Sequence, residues 1–321
     1  MSKSLTLLTF LFILISIYSY GQRSHAEPTD FPELFKRPLL VEMLEENEKI
    51  VKHLEKIAKK HPSAVNDYRS FIQNYNKNMR TAVAKFWVLN KDIEFMTTSK
   101  IDSLAHTKYF HYACLYYSEA AEQFVDYKTG QNLVVPTLNY SRLEHHTRKV
   151  DYSIYLPVSF LKPQDNYIET DLIFGIQFIQ RNIEYMVEKN KKMSASVYAK
   201  QFGTHCTQLE HKTLLLDKDA MEDSLSLSEI RNNYKYKFNI VSAENINSAV
   251  ENSSVENAYL VSMPYELTAA GGPGTSSQIM CMRLIIDSKN GNILSSLGTA
   301  VRENDTNIFL TKDFAVCETC K

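Results

Sequence analysis

Apolar residues recur every three or four positions in two neighbouring stretches near the start of the chain. The first stripe predicts an amphipathic helix over residues 38–60, and the second predicts a helix over residues 65–86. The first stripe consists of Leu39, Met43, Ile50, Leu54 and Ile57, and the second of Val65, Tyr68, Ile72, Tyr75, Met79, Ala82 and Phe86. Because only His61-Pro62-Ser63 separates them, we expect an antiparallel helical hairpin.

Beyond residue 92 the apolar pattern shortens to one that is typical of strands. We predict strands at residues 93–96, 109–117, 133–135 and 152–158. A long helix is predicted over residues 171–189, where apolar residues again recur at helical spacing. This part of the chain therefore predicts a mixed, largely antiparallel sheet beside the helical hairpin.

The last third of the chain alternates between strand and helix patterns. Strands are predicted at 213–216, 236–241 and 258–263, and the helices between them begin after Ser226 and Ser242. Such alternation favours parallel neighbouring strands. Asn290-Gly291 then predicts a β-hairpin, because both residues tolerate the positive φ angles of a tight turn.

These patterns predict an α+β fold: an N-terminal antiparallel helical hairpin on a mixed, largely antiparallel sheet, followed by a small α/β unit ending in a β-hairpin. Residues 22–37 form a polar lead-in, 38–190 the hairpin and sheet, and 197–321 the C-terminal unit. A polar seam at 190–196 separates the two, and a single domain remains the alternative. The sequence contains no recognisable internal repeat.

Residues 1–21 have the pattern of a cleaved secretory signal peptide. Lys3 supplies the positive charge, residues 5–17 form an apolar run, and Ser19-Tyr20-Gly21 places small residues before the cleavage site. We expect cleavage between Gly21 and Gln22, with an uncleaved anchor helix as the alternative. No later stretch is apolar enough to span a bilayer, so we expect a secreted or periplasmic protein without a membrane span in the mature chain.

Charge and composition favour a globular protein that does not bind nucleic acid. The chain has 36 basic and 37 acidic residues and no basic block, so it lacks the electrostatic pattern of a nucleic-acid-binding protein. Its hydrophobic content of 44% and charged content of 23% are ordinary for a folded domain. A protein partner and a small-molecule ligand both remain open.

The five cysteines cannot all pair with one another, because their number is odd. Cys317-Glu-Thr-Cys320 lies at the end of the chain, away from the helix N-terminus that activates a thioredoxin-type pair. A zinc site needs about four ligands, and no second pair accompanies this one. We therefore expect a local disulfide or free thiols at Cys317 and Cys320, and we predict no metal and no cofactor.

The segment Leu214-Leu-Leu-Asp217-Lys-Asp219 places two aspartates directly after a hydrophobic strand. It resembles the first motif of haloacid-dehalogenase-like phosphatases, which implies Asp217 as nucleophile and Asp219 as acid or base. The chain departs from that motif, because Ala220 and Met221 follow the aspartates and Ser288 follows Asp287. Turn residues after a strand are the simpler interpretation.

Two other groups of residues invite a chemical interpretation. Cys206 lies between His205 and His211, which suggests a thiol hydrolase if a histidine approaches the sulfur. The glycine-rich segment at 271–277 lacks the lysine of a phosphate-binding loop, so we interpret it as a plain loop. Surface or core histidines remain the simpler interpretation of His106, His111, His145, His146, His205 and His211.

Each catalytic pattern in the sequence is incomplete. The sequence therefore favours a non-enzymatic envelope or extracellular protein that binds or supports other molecules. An exported hydrolase, phosphatase-like or thiol-dependent, is the alternative, with Asp217, Asp219 or Cys206 as its reactive group. Assembly or membrane contact through the helical hairpin is a further possibility, and the simpler interpretation is that each helix covers the other.

Overall fold

The computed structural model describes an α+β protein with two mixed β-sheets. The described residues are 22–107, 111–125, 132–144, 147–157, 159, 168–193, 205–221, 225–269 and 276–300. Cys317, Cys320 and Gly21 lie outside them, as do His145, His146 and most of the 271–277 loop. Gln22 begins the first strand.

The strands and helices are numbered in chain order. The strands are β1 (Gln22–Ser24), β2 (Leu39–Met43), β3 (Ile93–Thr97), β4 (Ala113–Val125), β5 (Asn132–Glu144), β6 (Thr147–Tyr155), β7 (Thr213–Asp217), β8 (Phe238–Val241), β9 (Asn257–Ala269), β10 (Ser276–Asp287) and β11 (Ile293–Ala300). The described α-helices are α1 (Phe31–Phe35), α2 (Glu48–Ile57), α3 (Ala64–Phe86), α4 (Thr98–Thr107), α5 (Ile168–Lys189), α6 (Leu227–Asn233) and α7 (Ala243–Glu251).

The first sheet has the strand order β1-β6-β5-β4-β2-β3. Strand β2 is parallel to both of its neighbours, since Leu39 lies opposite Ile93 of β3 and Ala113 of β4. The other pairs, β4 with β5, β5 with β6 and β6 with β1, are antiparallel. Helices α3 and α4 make the crossovers that parallel neighbours require.

The second sheet has the order β11-β10-β9-β7-β8. Strand β7 is parallel to β8 and β9, with Leu214 opposite Phe238 and Ala258. Strands β9, β10 and β11 continue as an antiparallel meander. The parallel neighbours predicted from the strand–helix alternation are therefore confirmed.

The two sheets share one topology. In each, a first strand is parallel to a second strand on one side and a third on the other, and two antiparallel strands follow the third. The orders β3-β2-β4-β5-β6 and β8-β7-β9-β10-β11 thus match strand for strand, with β1 as an addition to the first sheet. The fold contains a structural repeat that the sequence does not display.

A single hydrophobic cluster lies between the sheets. It contains residues of β2, β4, β5 and β6 from the first sheet and of β7, β9 and β10 from the second, together with helices α3, α5 and α7. Smaller clusters lie on the opposite faces, one beneath α4 and one beneath α6. The central parallel strands β2 and β7 are therefore covered on both faces.

Residues 38–47 are not helical, contrary to the sequence prediction. Leu39–Met43 form β2, whose five residues are all buried, and the helix begins only at Glu48. The Asn47 side chain accepts from the Lys49 backbone N–H at 2.9 Å and so caps this helix. A short apolar run that is buried on both faces has no alternation, and it can therefore be mistaken for a helical stripe.

The β10–β11 turn also differs from the sequence prediction. Gly291 alone has a left-handed φ, of 68°. The Gly291 N–H donates to the Asp287 carbonyl, and the Asp287 N–H donates to the Asn292 carbonyl, each at 2.8 Å. The connection is therefore a longer turn that ends in one glycine, not a two-residue turn with two positive φ angles.

Helix boundaries in the last third agree well with the sequence. Helix α6 begins after Ser226, as predicted, and a capping box between Ser226 and Glu229 opens it. Helix α7 also follows its predicted Ser242, although that side chain hydrogen-bonds Asn245 instead of capping the helix backbone. In the described part of the chain, no helix combines the length and the apolarity needed to cross a membrane.

Candidate functional site

A candidate site lies at the edge of the first sheet where β2 and β3 end. In open sheets with parallel strands, ligands bind where the chain leaves the strands in opposite directions, at their carboxyl ends. The chain reaches β3 on one side of β2 and β4 on the other, so that point lies between β2 and β4. We call this region the carboxyl edge.

A half-buried arginine forms the charged centre of the carboxyl edge. Arg148 donates from Nη1 to Glu42 Oε1 at 2.8 Å and from Nη2 to Asp102 Oδ1 at 2.9 Å. Its guanidinium carbon lies 4.8 Å from the centre of the Tyr116 ring, within the range of a cation–π interaction. These contacts join β6, β2, α4 and β4 across the outer face of the sheet.

The electrostatics of this cluster favour a fixed ion pair. Burial disfavours the charge of Arg148, but Glu42 and Asp102 outweigh it and raise the pKa of the guanidinium. The three groups together carry one net negative charge, with Glu42 buried and Asp102 exposed. Both terminal nitrogens of the guanidinium already have carboxylate partners, so the cluster is suited to holding strands and helix in place.

Cys114 lies next to this cluster, but its thiol is unreactive at neutral pH. Burial raises the pKa of its thiol to about 12, although the nearby Arg148 charge acts in the opposite direction. The sulfur therefore stays protonated at neutral pH, and it is the thiolate that acts as a nucleophile. Burial likewise raises the pKa of the Tyr116 hydroxyl to about 12.

The chain leaving β2 is tied down by hydrogen bonds before it enters α2. The Asn76 side chain accepts from the Leu44 N–H at 2.8 Å and donates to the Leu44 carbonyl at 2.9 Å. Glu45 accepts from the Ser99 N–H at 2.9 Å, and the Asn47 N–H donates to the Tyr68 hydroxyl at 3.0 Å. Three residues of the segment are thus fixed against α3 and α4, and they hold the start of α2.

Helix α2 itself is barely covered by the rest of the protein. None of its ten residues is buried, and Ile50 and Ile57 are 43% and 36% exposed. Val51 and Leu54 are half-buried and turn toward the protein. The exposed isoleucines lie seven residues, or about two turns, apart on the other side of the stripe. An amphipathic helix therefore presents part of its apolar stripe to solvent.

Lysines border the exposed isoleucines. In the helical projection, His53 lies next to Ile50 and Ile57, and Lys49 and Lys56 lie beyond it, about 100° around the helix from the isoleucines. All three side chains are exposed. Lys60 follows the helix in the turn after Ile57 and is also exposed. The acidic residues of the helix, Glu48 and Glu55, project on another side, and Glu48 pairs with Lys52 at 3.4 Å. The outward face of α2 is thus apolar and cationic.

The structure places Asp217 and Asp219 in different surroundings. Asp217 ends β7 at the point of the second sheet that corresponds to the carboxyl edge, and it is only 4% exposed. Asp219 is exposed, and its backbone N–H donates to Asp217 Oδ1 at 3.2 Å. That bond is a local turn contact at the start of a short 3-10 helix, as the turn interpretation expects.

Cys206 lies apart from both aspartates. It is buried in the apolar cluster under α6, with Leu214 and Leu216. Asp217 alternates with Leu216 along β7 and so points to the opposite face of the sheet. His205 is half-buried and His211 is exposed. Among the residues that the structure describes, no group of three possible ligands could hold a metal ion.

Glu42 and Arg148 were not predicted from the sequence as members of a site. A signal was present, because Glu42 interrupts an apolar run in which every neighbour is buried. A lone carboxylate in a fully buried strand requires a cationic partner. The partner could not be found from the sequence, because Arg148 is 106 residues away along the chain.

In comparisons with known proteins, no family model, no curated protein and no solved structure matches this chain.

Proposed function

We propose that this chain is exported through a signal peptide at residues 1–21 and acts in the envelope or outside the cell as a non-enzymatic binding or structural protein. One observation carries the proposal: α2 exposes two isoleucines beside a row of lysines although the segment before it is firmly held. A helix that combines an exposed apolar side with a lysine-rich side is typical of a surface that binds other molecules.

The polar groups of the carboxyl edge support the same function. Arg148, Glu42 and Asp102 are engaged with one another, and the Cys114 thiol is held protonated. The proposal includes an antiparallel hairpin of α2 and α3, with α3 packed on the sheets and α2 outermost. The contact surface is then the outward side of this hairpin.

Fractionation of cells that express the full chain tests the proposal. We expect the processed protein, beginning at Gln22, to be associated mainly with the envelope. The double variant Ile50→Gln/Ile57→Gln should shift severalfold toward the soluble fraction, since glutamine keeps the helix but removes the apolar contact. The matched control is Val88→Gln/Val255→Gln, at sites that are 71% and 60% exposed elsewhere on the surface. Equal distribution of the two double variants would refute the proposal.

The alternative is an exported hydrolase that uses Asp217. It is favoured by the position of this buried carboxylate at the carboxyl end of a parallel strand. Hydrolysis of p-nitrophenyl phosphate by the purified protein, abolished in Asp217→Asn and retained in Asp219→Asn, would establish this alternative in place of the binding function.

A further inference from the structure

We propose that the outward face of α2 docks on an anionic lipid bilayer surface; this inference rests on the proposed function and specifies its partner. Ile50 and Ile57 supply the apolar contact, and Lys49, Lys56 and Lys60 supply the charge. A helix that lies in the interfacial plane of a bilayer combines an apolar face with a lysine-rich polar face in this way.

Charge complementarity selects the partner. The segment from Glu48 to Lys60 contains five lysines and two glutamates. The nearby Glu46 does not add to the negative charge, because it pairs with Arg69 at 3.1 Å. Glu45 keeps its negative charge, because the Ser99 N–H that it binds is neutral, but the three lysine charges in excess over the two glutamates outweigh it. The free charge next to the isoleucines is therefore positive, and anionic headgroups attract lysines close to the membrane surface.

A second copy of the chain fits this face less well. The helix is about 15 Å long and its exposed ridge is about 10 Å wide, which gives roughly 150 Å² against the ~800 Å² per partner of a standard interface. A symmetric contact through the isoleucines would also bring two lysine rows to the same interface, where like charges repel. A bilayer needs neither a large patch nor a matching anionic protein surface.

Vesicle co-sedimentation of the purified exported protein tests this inference. We expect binding to phosphatidylcholine vesicles that contain 30% phosphatidylglycerol, at least tenfold weaker binding to pure phosphatidylcholine, and loss of binding in high salt. Ile50→Gln/Ile57→Gln and Lys49→Gln/Lys56→Gln should each weaken binding at least tenfold. Val88→Gln/Val255→Gln should bind as the wild type does. Far-UV circular dichroism and thermal melts should be unchanged in all variants, because α2 buries no residue.

Three results would overturn the inference: no binding of the wild type to anionic vesicles, equal binding to neutral vesicles, or a dimer in sedimentation equilibrium that the isoleucine variant abolishes. If vesicles are not bound but the isoleucine variant still leaves the envelope fraction in cells, only the lipid is excluded and the binding function stands. If the isoleucine variant also stays in the envelope fraction of the cells, the proposed binding function is refuted as well.

Discussion

Among single residues, Lys212 and Asp287 form the most deeply buried ion pair of the described chain. Lys212 Nζ lies 2.7 Å from Asp287 Oδ1, and the two side chains are 8% and 3% exposed. The ammonium also donates to the Val255 carbonyl, and Asp287 accepts from the Lys289 N–H. Removing one partner leaves a buried charge without its counter-ion. We expect Lys212→Met or Asp287→Asn to lower the free energy of unfolding by about 3–5 kcal/mol.

Urea unfolding of both single variants and the double variant measures this effect. The double variant should cost less than the sum of the single variants, because neither charge is then left unpaired. Additive losses, or single losses below about 1 kcal/mol, would show that the pair is hydrated and contributes little.

Asp171 makes the stability of the protein depend on pH. It is buried in the first turn of α5, where Ser159 Oγ donates to it at 2.7 Å. Burial raises the pKa of its carboxyl from 3.8 to about 8, against the opposing effect of the Ser159 hydrogen bond. Between about pH 4 and pH 8 the folded protein therefore holds a proton that the unfolded chain releases. Stability should fall as pH rises through this window, by at most ~1.4 kcal/mol per pH unit, and level off above it.

Asp171→Asn isolates this contribution, since the amide cannot ionise. We expect the variant to gain stability relative to the wild type as pH rises from 5 to 8, measured as the difference in urea unfolding free energy at each pH. Parallel curves for the two proteins would mean that Asp171 is ionised in the folded state.

At the scale of a single element, a substitution at Gly291 tests the geometry of the β10–β11 turn and its contact with α5. Gly291 has a left-handed φ of 68°, and a methyl group there would run into the Gln177 side chain of α5. We expect Gly291→Ala to cost about 2 kcal/mol, from backbone strain and from this collision. In a Gln177→Ala background the cost should fall toward the ~1 kcal/mol of strain alone. An unchanged cost in that background would assign the whole effect to the turn.

Elements with strong local chemistry were predictable from the sequence, and elements defined by distant contacts were not. The Ser226–Glu229 capping box placed the start of α6 correctly, because cap and helix are determined within four residues. Strand β2 was mistaken for helix, since its burial on both faces comes from α3 and α4, far along the chain. No residue near Arg148 in the sequence indicates that it pairs with Glu42. The amphipathic stripe of α2 predicts a helix, but it does not show how little of that helix is covered.

At the scale of the whole molecule, the structural repeat is not visible in the sequence because the two sheets turn opposite faces toward the central cluster. In the first sheet the helix between the first two strands, α3, packs into the central cluster and α4 lies outside. In the second sheet α6 lies outside and α7 packs into the central cluster. Equivalent strands therefore bury opposite faces in the shared core, as with Leu39 of β2 and Leu214 of β7. Their apolar patterns then match poorly although their topology is the same.

The shared central cluster leads to a prediction about cooperativity. Because one cluster contains residues of both sheets, we expect the described fold to unfold in a single transition. Trp87, the single tryptophan of the chain, is buried in the part of this cluster next to Tyr140 of the first sheet. Leu284→Ala removes a buried side chain from the second sheet and should cost about 2–5 kcal/mol.

If the cluster is one cooperative unit, Leu284→Ala must lower the urea midpoint seen by Trp87 fluorescence as much as the midpoint seen by far-UV circular dichroism. Leu115→Ala, on the first sheet and in the same cluster, is the matched control and should shift both signals together. Should Leu284→Ala move the dichroism but leave the fluorescence midpoint in place, the two sheets would unfold as separate domains with a boundary near residues 190–196. Coincident shifts would instead mean that the two repeats are halves of one domain, each completed by the face that the other presents.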